Sequence, residues 1–423
     1  MLFLYNVVIL LISPVLLVYF LIRLWLRGFD LRAVRERFGL LPELPDAGGG
    51  RLWLHAVSVG EVGVAAVLVP VLLRKKPELK IVLSTVTQTG RNEARKILGV
   101  EQLIYLPLDF PLIVRSAFRR IRPSMIALIE TEIWPNLVAE AARRDIPVSI
   151  VNGRLSERSY HKYKRFQFFF SSLLKRFRDV LARGKGDAER FLDLGATSVR
   201  VSGNVKYDAP PPPQEPPHGA YGLGECEQVI VAGSTHPGEE KLIGEALSSV
   251  QRKMSGVGLL LAPRHLERVA QVEADLQNVG LSPVRWSHIK NSGGKYEVII
   301  LDAMGELADA YGCAAMAIIG GSFIPHGGQN PIEAARWAVP CLCGPHMENF
   351  AEVTGEMVNQ GGAIQLSGRE KLETAVMKWL DDPVSRKRAG EAARRVVQNN
   401  QGASDRTAEY IVQVLAESDE GAA

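Results

Sequence analysis

The chain is 423 residues long, enough for two or three domains that each bury a core, and its 47% hydrophobic and 23% charged residues are the proportions of a folded protein. A net charge of +4 on that length implies no nucleic-acid partner, so only the local distribution of charge can matter. Cys226, Cys313, Cys341 and Cys343 form no CxxC pair, which argues against a disulfide framework or a zinc site and fits reduced core residues of a cytosolic protein.

No side chain from Met1 to Ile22 is charged, and the run is long enough to cross a bilayer as a helix. Residues 1–27 are therefore expected to form a membrane-anchoring helix. It lacks the positive leader and small-residue cleavage site of a signal peptide. Arg23, Arg27, Arg32, Arg35 and Arg37 follow at once, so the positive-inside rule keeps the remainder of the chain cytoplasmic. Asn6 and Pro14 interrupt the apolar run, and a segment lying in the interface is the alternative.

From Arg51 the chain alternates between short apolar runs and amphipathic stretches. Leu52-Trp-Leu-His-Ala-Val57 reads as a strand, Gly60 permits a tight turn, and Val62 to Leu73 is an apolar helical run with Glu61 in its first turn. The helix dipole stabilises a carboxylate there, which suits a proton acceptor on a sheet's carboxyl edge. On these residues alone a favourable first-turn glutamate is the simpler reading. His55, inside the strand, reads as a hydrogen-bonded core residue. Lys80–Gly90 reads as a strand and turn, Arg91–Leu98 as a helix, Gln102–Leu106 as a strand, Pro111–Ile121 as a helix, Ser124–Asn136 as a buried strand running into acidic residues and a helix, and Pro147–Arg154 as a strand with a polar terminus. Glu130 and Glu132 then sit at a strand's carboxyl end. This rhythm predicts a doubly wound parallel sheet with its site along that edge.

Tyr160 to Arg178 mixes cations with aromatics. It suits a surface facing anionic lipid, and equally a helix that buries its aromatics and leaves its cations in water. The run Ala209-Pro-Pro-Pro-Pro-Gln-Glu-Pro-Pro217 can join neither a helix nor an inner strand, so residues 209–218 are expected to be a linker. Beyond it the alternation restarts. Gln228–Glu240 reads as strand, polar turn and helix start; Gly258–Arg268 places Arg264 and His265 at a strand end; Glu297–Leu301 is a strand before Met304-Gly305-Glu306. Ala314 to Ile319 is a further strand, broken by Gly320-Gly321 and followed by a loop through Gly327-Gly328 into Asn330-Pro331-Ile332-Glu333. Asn330 is a good N-cap and Pro331 suits the first helical position. A helix start beside glycines is either an anion site or an ordinary capped turn, and Glu333 there could accept hydrogen bonds from ribose hydroxyls. Val339 to Leu342 is the next strand, and Leu372 to Ala416 reads as mostly helical.

Two parallel α/β domains with polar strand ends suggest a cleft in which two substrates meet, as in GT-B glycosyltransferases. Seven motifs in unbroken order make the resemblance specific. They are His55-Ala-Val-Ser-Val-Gly-Glu61, Glu130-Thr-Glu-Ile-Trp-Pro-Asn136, Gly203-Asn-Val-Lys206, Gly233-Ser-Thr-His-Pro-Gly-Glu-Glu240, Pro263-Arg-His265, Met304-Gly-Glu306, and Gly320-Gly-Ser322 through Glu333. Together they resemble the 3-deoxy-D-manno-octulosonic acid (Kdo) transferases of lipopolysaccharide assembly.

The resemblance implies an α/β, GT-B fold of two Rossmann-like domains facing a central cleft. Residues 28–208 would form the acceptor domain, 219–400 the CMP-sugar domain, and 401–423 a terminal helix and tail. It implies inverting transfer of Kdo from CMP-Kdo to the lipid A precursor (lipid IVA) at the cytoplasmic face of a bacterial inner membrane, with no cofactor and no metal. Glu61 would be the general base, and Glu130 and Lys206 would support the transition state. Pro263, Arg264, Met304, Gly305, Glu306, Asn330, Pro331, Ile332 and Glu333 would hold the CMP part of the donor. The anchor and the aromatic-basic segment would set the acceptor domain against membrane lipids. Two other readings compete: a GT-B enzyme moving a UDP-sugar to a lipid acceptor, and a membrane scaffold with a degenerate nucleotide site.

Overall fold

The computed structural model describes the chain except residues 1, 28–29, 46, 49, 210–218, 220, 290–294 and 421–423, and it leaves undescribed the side chains of 15–27, 158, 419 and 420. The proline run expected as a linker therefore lies, from residue 210 on, outside the described residues. The chain forms two compact units, Met1–Ala209 with Gln401–Ala423, and Pro210–Asn400.

The first unit holds strands β1 (Arg51–His55), β2 (Lys80–Thr85), β3 (Gln102–Tyr105), β4 (Met125–Ile129), β5 (Val148–Gly153), β6 (Asp179–Ala182) and β7 (Val199–Val201). They pair in the order β3-β2-β1-β4-β5-β6-β7, and every pairing is parallel. All five residues of β1 and of β4 are buried, as befits strands covered by helices on both faces. One core layer joins Leu52, Leu54, Ile81 and Ala127 to Val64 and Leu68 of the Val59–Lys75 helix. The opposite layer joins Trp53, Ile126 and Ile150 to Phe118 and Val138. The chain winds outward in both directions from β1 and β4, so the crevice at their carboxyl ends is the switch point where ligands bind in such sheets.

The expected terminal helix is the Ala403–Glu420 helix, and it closes the first unit. Its Ala408, Ile411, Val414 and Leu415 enter the same layer as Leu68. Tyr410 Oη lies 2.7 Å from Ser149 Oγ and donates to Asp179 Oδ2 at 2.8 Å. Asp208 accepts from Gly402 N at 2.6 Å and from Ser404 N, and so fixes where the returning helix begins.

The second unit repeats the plan with β8 (Gln228–Thr235), β9 (Val257–Pro263), β10 (Val284–Arg285), β11 (Val298–Ile300), β12 (Met316–Ile319), β13 (Cys341–Cys343) and β14 (Ala363–Gln365). The order is β10-β11-β9-β8-β12-β13-β14, again all parallel. Its switch point lies between β8 and β12.

At the N-terminus a helix runs Leu2–Arg27 with Pro14 inside it. The expectation that it spans a bilayer finds no support: among the described residues no helix is long and apolar enough to cross a membrane. Its first turns are instead tied to the first unit. Tyr5 Oη donates to Asp109 Oδ2 at 2.9 Å, and Asn136 Nδ2 donates to Asn6 Oδ1 at 2.7 Å. Polar contacts of this kind leave Phe3, Leu4, Leu10 and Leu11 exposed. The aromatic-basic segment splits into the Glu157–Arg165 and Gln167–Leu174 helices. The packing reading holds in part: Phe177 is buried and Tyr160 and Tyr163 pack against the core, while Phe166 and Phe168 are 62% and 78% exposed.

Candidate active site

Glu61 follows β1 in the first turn of the Val59–Lys75 helix, with Ser58 as N-cap. The spacing Ser58-x-x-Glu61 is that of a capping box, but the hydrogen bonds differ. Glu61 Oε2 accepts from Val57 N at 2.7 Å and Oε1 accepts from Ser58 Oγ at 2.9 Å, so both oxygens are held while the carboxylate is only 7% exposed. Burial pushes this carboxyl up to about 7, reinforced by Glu130 and opposed by the Val57 and Ser58 hydrogen bonds and by Lys206. A base tuned near neutral pH is both present as the anion and able to hold a proton.

Glu130 sits one residue beyond β4 with φ of 61°. A non-glycine residue in the left-handed region costs roughly 1–3 kcal/mol and persists where surroundings over-determine it. Here Lys206 Nζ donates to Glu130 Oε1 at 3.1 Å. Burial opposes ionisation of Glu130, but Lys206, Arg183 and Arg154 outweigh it and hold its carboxyl below the ordinary range. Lys206 is placed by the Val205–Asp208 turn after β7, whose Val205 N donates to Asn152 Oδ1 at 3.0 Å. Glu132 belongs to the same group: burial, then Glu61 and Glu130, push it up to about 7. Two carboxyls near 7 flank one held ionised by cations, so a proton can be taken up without all three bearing charge. His55, expected in the core, is fully buried with Nδ1 2.8 Å from Ser84 Oγ, and burial lowers its pKa to about 4, which leaves it neutral.

In the second unit the predicted donor residues sit on neighbouring strand ends. Pro263 ends β9 and Arg264 follows it, exposed, its N–H donating to Thr235 O at 2.9 Å across to β8. Met304, Gly305 and Glu306 follow β11, with Met304 exposed and Gly305 at φ 88°. Asn330 Nδ2 donates to Glu333 Oε1 at 3.1 Å, and Ile332 N donates to Asn330 Oδ1 at 3.1 Å. The helix is short. It runs only Ile332–Arg336 with Pro331 as its cap, one residue later than the sequence suggests, so little macrodipole accumulates.

Sequence reasoning missed what holds the glycine loop. Glu239 is fully buried and accepts from Gly321 N at 2.7 Å, Phe323 N at 2.9 Å and His236 N at 2.9 Å. Glu240 accepts from Thr235 Oγ1 at 3.2 Å and pairs with Arg268 at 2.9 Å. Gly320 is required for a separate reason: a Cβ there would lie 2.3 Å from Ser234 O. Beside this loop His236 stacks on His326 with ring centroids 4.1 Å apart, and its Nε2 lies 3.0 Å from Gln329 Nε2. Adjacent glutamates after a buried strand are the available sequence signal, and they read as ordinary first-turn residues until the loop they face is known.

Solved structures share this pairing of sheets. A glycosyltransferase from Rickettsia africae ESF-5 matches 87% of the chain and 98% of its own length, with TM-score 0.58 and 14% identity. The UDP-GlcNAc 2-epimerase from Neisseria meningitidis, bound to UDP-GlcNAc, matches 87% of the chain and all of its own, with TM-score 0.57 and 14% identity. The architecture is therefore of the GT-B kind, and a transferase and an epimerase sharing it show that fold alone does not fix the reaction. Sequence does. Residues 32–209 match the family model described as 3-deoxy-D-manno-octulosonic-acid transferase (kdotransferase). The 3-deoxy-D-manno-octulosonic acid transferases of Haemophilus influenzae and Bordetella pertussis are each 32% identical, over 89% and 85% of this chain and 90% and 86% of their own. The chain belongs to the Kdo transferase family, glycosyltransferases of lipopolysaccharide biosynthesis.

Proposed function

We propose that the protein transfers Kdo from CMP-Kdo to a hydroxyl of the lipid A precursor (lipid IVA) with inversion, the first unit activating the acceptor and the second binding the donor. Family membership supports the reaction, and one observation carries the mechanism: Glu61, at the switch point of the first sheet, is buried, hydrogen-bonded through both oxygens and poised near pH 7. In this reading Glu61 removes the proton of the acceptor hydroxyl as its oxygen attacks the anomeric carbon. The bond from that carbon to the phosphate oxygen breaks, and its electron pair leaves with CMP. Glu130 and Lys206 stabilise the charge that moves during attack. Arg264 takes up charge on the departing phosphate, Glu333 accepts from the ribose, and Pro263, Met304 to Glu306 and Asn330 to Ile332 shape the nucleotide pocket. Cations suffice for this departure, so we assign it no metal.

The acceptor is acylated, and the exposed apolar residues of the Leu2–Arg27 helix together with Phe166 and Phe168 give the first unit an apolar surface suited to the cytoplasmic face of the inner membrane. The helix would lie in the interface, since Tyr5 and Asn6 bind it to the domain.

Mass spectrometry of detergent-solubilised lipid A precursor, after incubation with protein and CMP-Kdo, tests the reading directly. Increments of one or more Kdo units are expected with CMP-Kdo and none with UDP-sugars. Transfer from a UDP-sugar alone would overturn the donor assignment.

A further inference from the structure

Beyond Glu61, Glu130 and Lys206, the carboxyl edge of the first sheet carries a basic half that helps keep Glu130 ionised but has so far been given no contact with a substrate. Strand order places it: Glu61 leaves β1, Glu130 leaves β4, Asn152 and Arg154 stand at the end of β5, and Arg183 leaves β6. Neighbouring strands lie about 4.8 Å apart, so Arg154 and Arg183 leave the sheet roughly 10 and 15 Å from the strand that presents Glu61. One sugar ring and an arginine side chain span that separation. The ladder closes here too, with Arg183 N donating to Gly153 O at 3.0 Å.

Two buried donors in this half lack a partner. Asn152 is fully buried with φ of 53°, and its Oδ1 is committed to Val205 N, but its Nδ2 makes no hydrogen bond. Arg183 Nε makes none either; its nearest carboxylate, Asp187, is 3.7 Å away and is shared with Arg190, also at 3.7 Å. Asp187 Oδ1 meanwhile accepts from Leu155 N at 2.7 Å. Two guanidinium groups thus divide one carboxylate already in use. A buried donor without an acceptor costs roughly 1–3 kcal/mol, and such groups are retained where a ligand supplies the missing partner. Arg154 and Arg183 both act electrostatically on Glu130, so they face the same crevice as the candidate base.

We propose that Arg183 and Asn152, with Arg154 beside them, form an oxyanion subsite that takes a phosphoryl or carboxylate group carried on the acceptor sugar; this rests on the reading that Glu61 engages the acceptor hydroxyl. The edge is then polarised, with an acidic half for the hydroxyl and a basic half for an anionic substituent one ring away, and the two together fix which hydroxyl meets the base. The same chemistry has two sources, a phosphoryl group on the acceptor or the carboxylate of an acidic sugar already attached.

The test compares wild type with Arg183→Gln and Arg183→Lys on three glycolipid acceptors: one with a phosphoryl group on the sugar to be glycosylated, the same molecule dephosphorylated, and one already carrying a single Kdo. Arg183→Gln should raise KM for an anionic acceptor about tenfold to a hundredfold, leave KM for the neutral acceptor and for the donor unchanged, and be partly rescued by Arg183→Lys. A penalty confined to the phosphorylated acceptor identifies phosphate as the ligand, and one confined to the Kdo-bearing acceptor identifies carboxylate. Equal losses on all three, or none on any, would overturn the subsite. Calorimetric binding of the same acceptors separates the two readings. Protein that binds the anionic acceptor through Arg183 yet transfers nothing would refute the transferase reading and keep the subsite.

Discussion

Replacing Glu61 by glutamine should lower activity and raise stability together, a combination that a helix cap cannot produce. The folded protein keeps the Glu61 proton up to about pH 7, whereas an unperturbed glutamate releases it near 4.5. The contribution of this group to stability is therefore fully present below 4.5 and is lost as pH rises through about 7. That difference corresponds to roughly 3 kcal/mol of cost above pH 7. Glutamine is nearly isosteric, can still accept from Val57 N, and can donate to Ser58 Oγ in place of accepting from it, so it should retain most of the local geometry. At pH 8 the thermal midpoint of the variant should lie above that of wild type, and the gain should shrink toward pH 5. Over the same range wild-type kcat/KM should climb as pH rises through about 7, because the base must be deprotonated. Transfer by the variant, followed by mass spectrometry, should fall roughly a hundredfold to ten-thousandfold. A variant that transfers normally, or that is destabilised equally at pH 5 and pH 8, would show that Glu61 only closes the first turn of its helix.

Lys206→Met removes the cation that pairs with Glu130 at 3.1 Å and that lowers the pKa of Glu61, so the acidic limb of the pH–rate profile should move to higher pH as the rate falls. An unmoved limb would separate Lys206 from the base. Glu239→Ala leaves three buried backbone N–H groups without their acceptor, and should cost roughly 3 kcal/mol or more and raise KM for the donor while sparing KM for the acceptor; denaturant titration and steady-state kinetics check both. Arg264→Ala and Glu333→Ala should each weaken CMP binding in calorimetry, Arg264 more than tenfold if it pairs with phosphate. Unchanged affinity in both would remove the nucleotide from this edge.

Much of the fold is legible in the sequence because long buried strands announce themselves. Met125–Ile129 is an apolar run followed at once by Glu130, and the largely apolar run Leu52–Val57 leads through Ser58 to Glu61, which is what parallel strands ending at a polar edge look like. The short outer strands Asp179–Ala182, Val199–Val201, Val284–Arg285 and Ala363–Gln365 carry too few residues for a period to register, so the width of both sheets is not visible. The return of the Ala403–Glu420 helix to the first unit is equally hidden, because it is fixed by Asp208 and Tyr410 contacts made across roughly half the chain or more. The polar turn Asn152-Gly153-Arg154 is visible as a strand terminus, but its orphaned amide emerges only once Val205 N has claimed the other end of the side chain.

The same arithmetic of lone pairs separates the buried glutamates at the two switch points. Glu61 and Glu239 each follow a central strand, each lies in a helix's first turn, and burial raises the pKa of both. A carboxylate offers about four acceptor positions. Glu239 commits three of them to backbone N–H groups of its own unit, two of which belong to the glycine loop, so its charge is spent on fixing that loop and little is left for a ligand. Glu61 commits two, one to Val57 N and one to a serine hydroxyl that can rotate away. Two positions therefore remain for an incoming hydroxyl, and the carboxylate is held in place without being saturated. Sequence places both residues identically; only the count of donors around each distinguishes a glutamate that builds a site from one that can act in it.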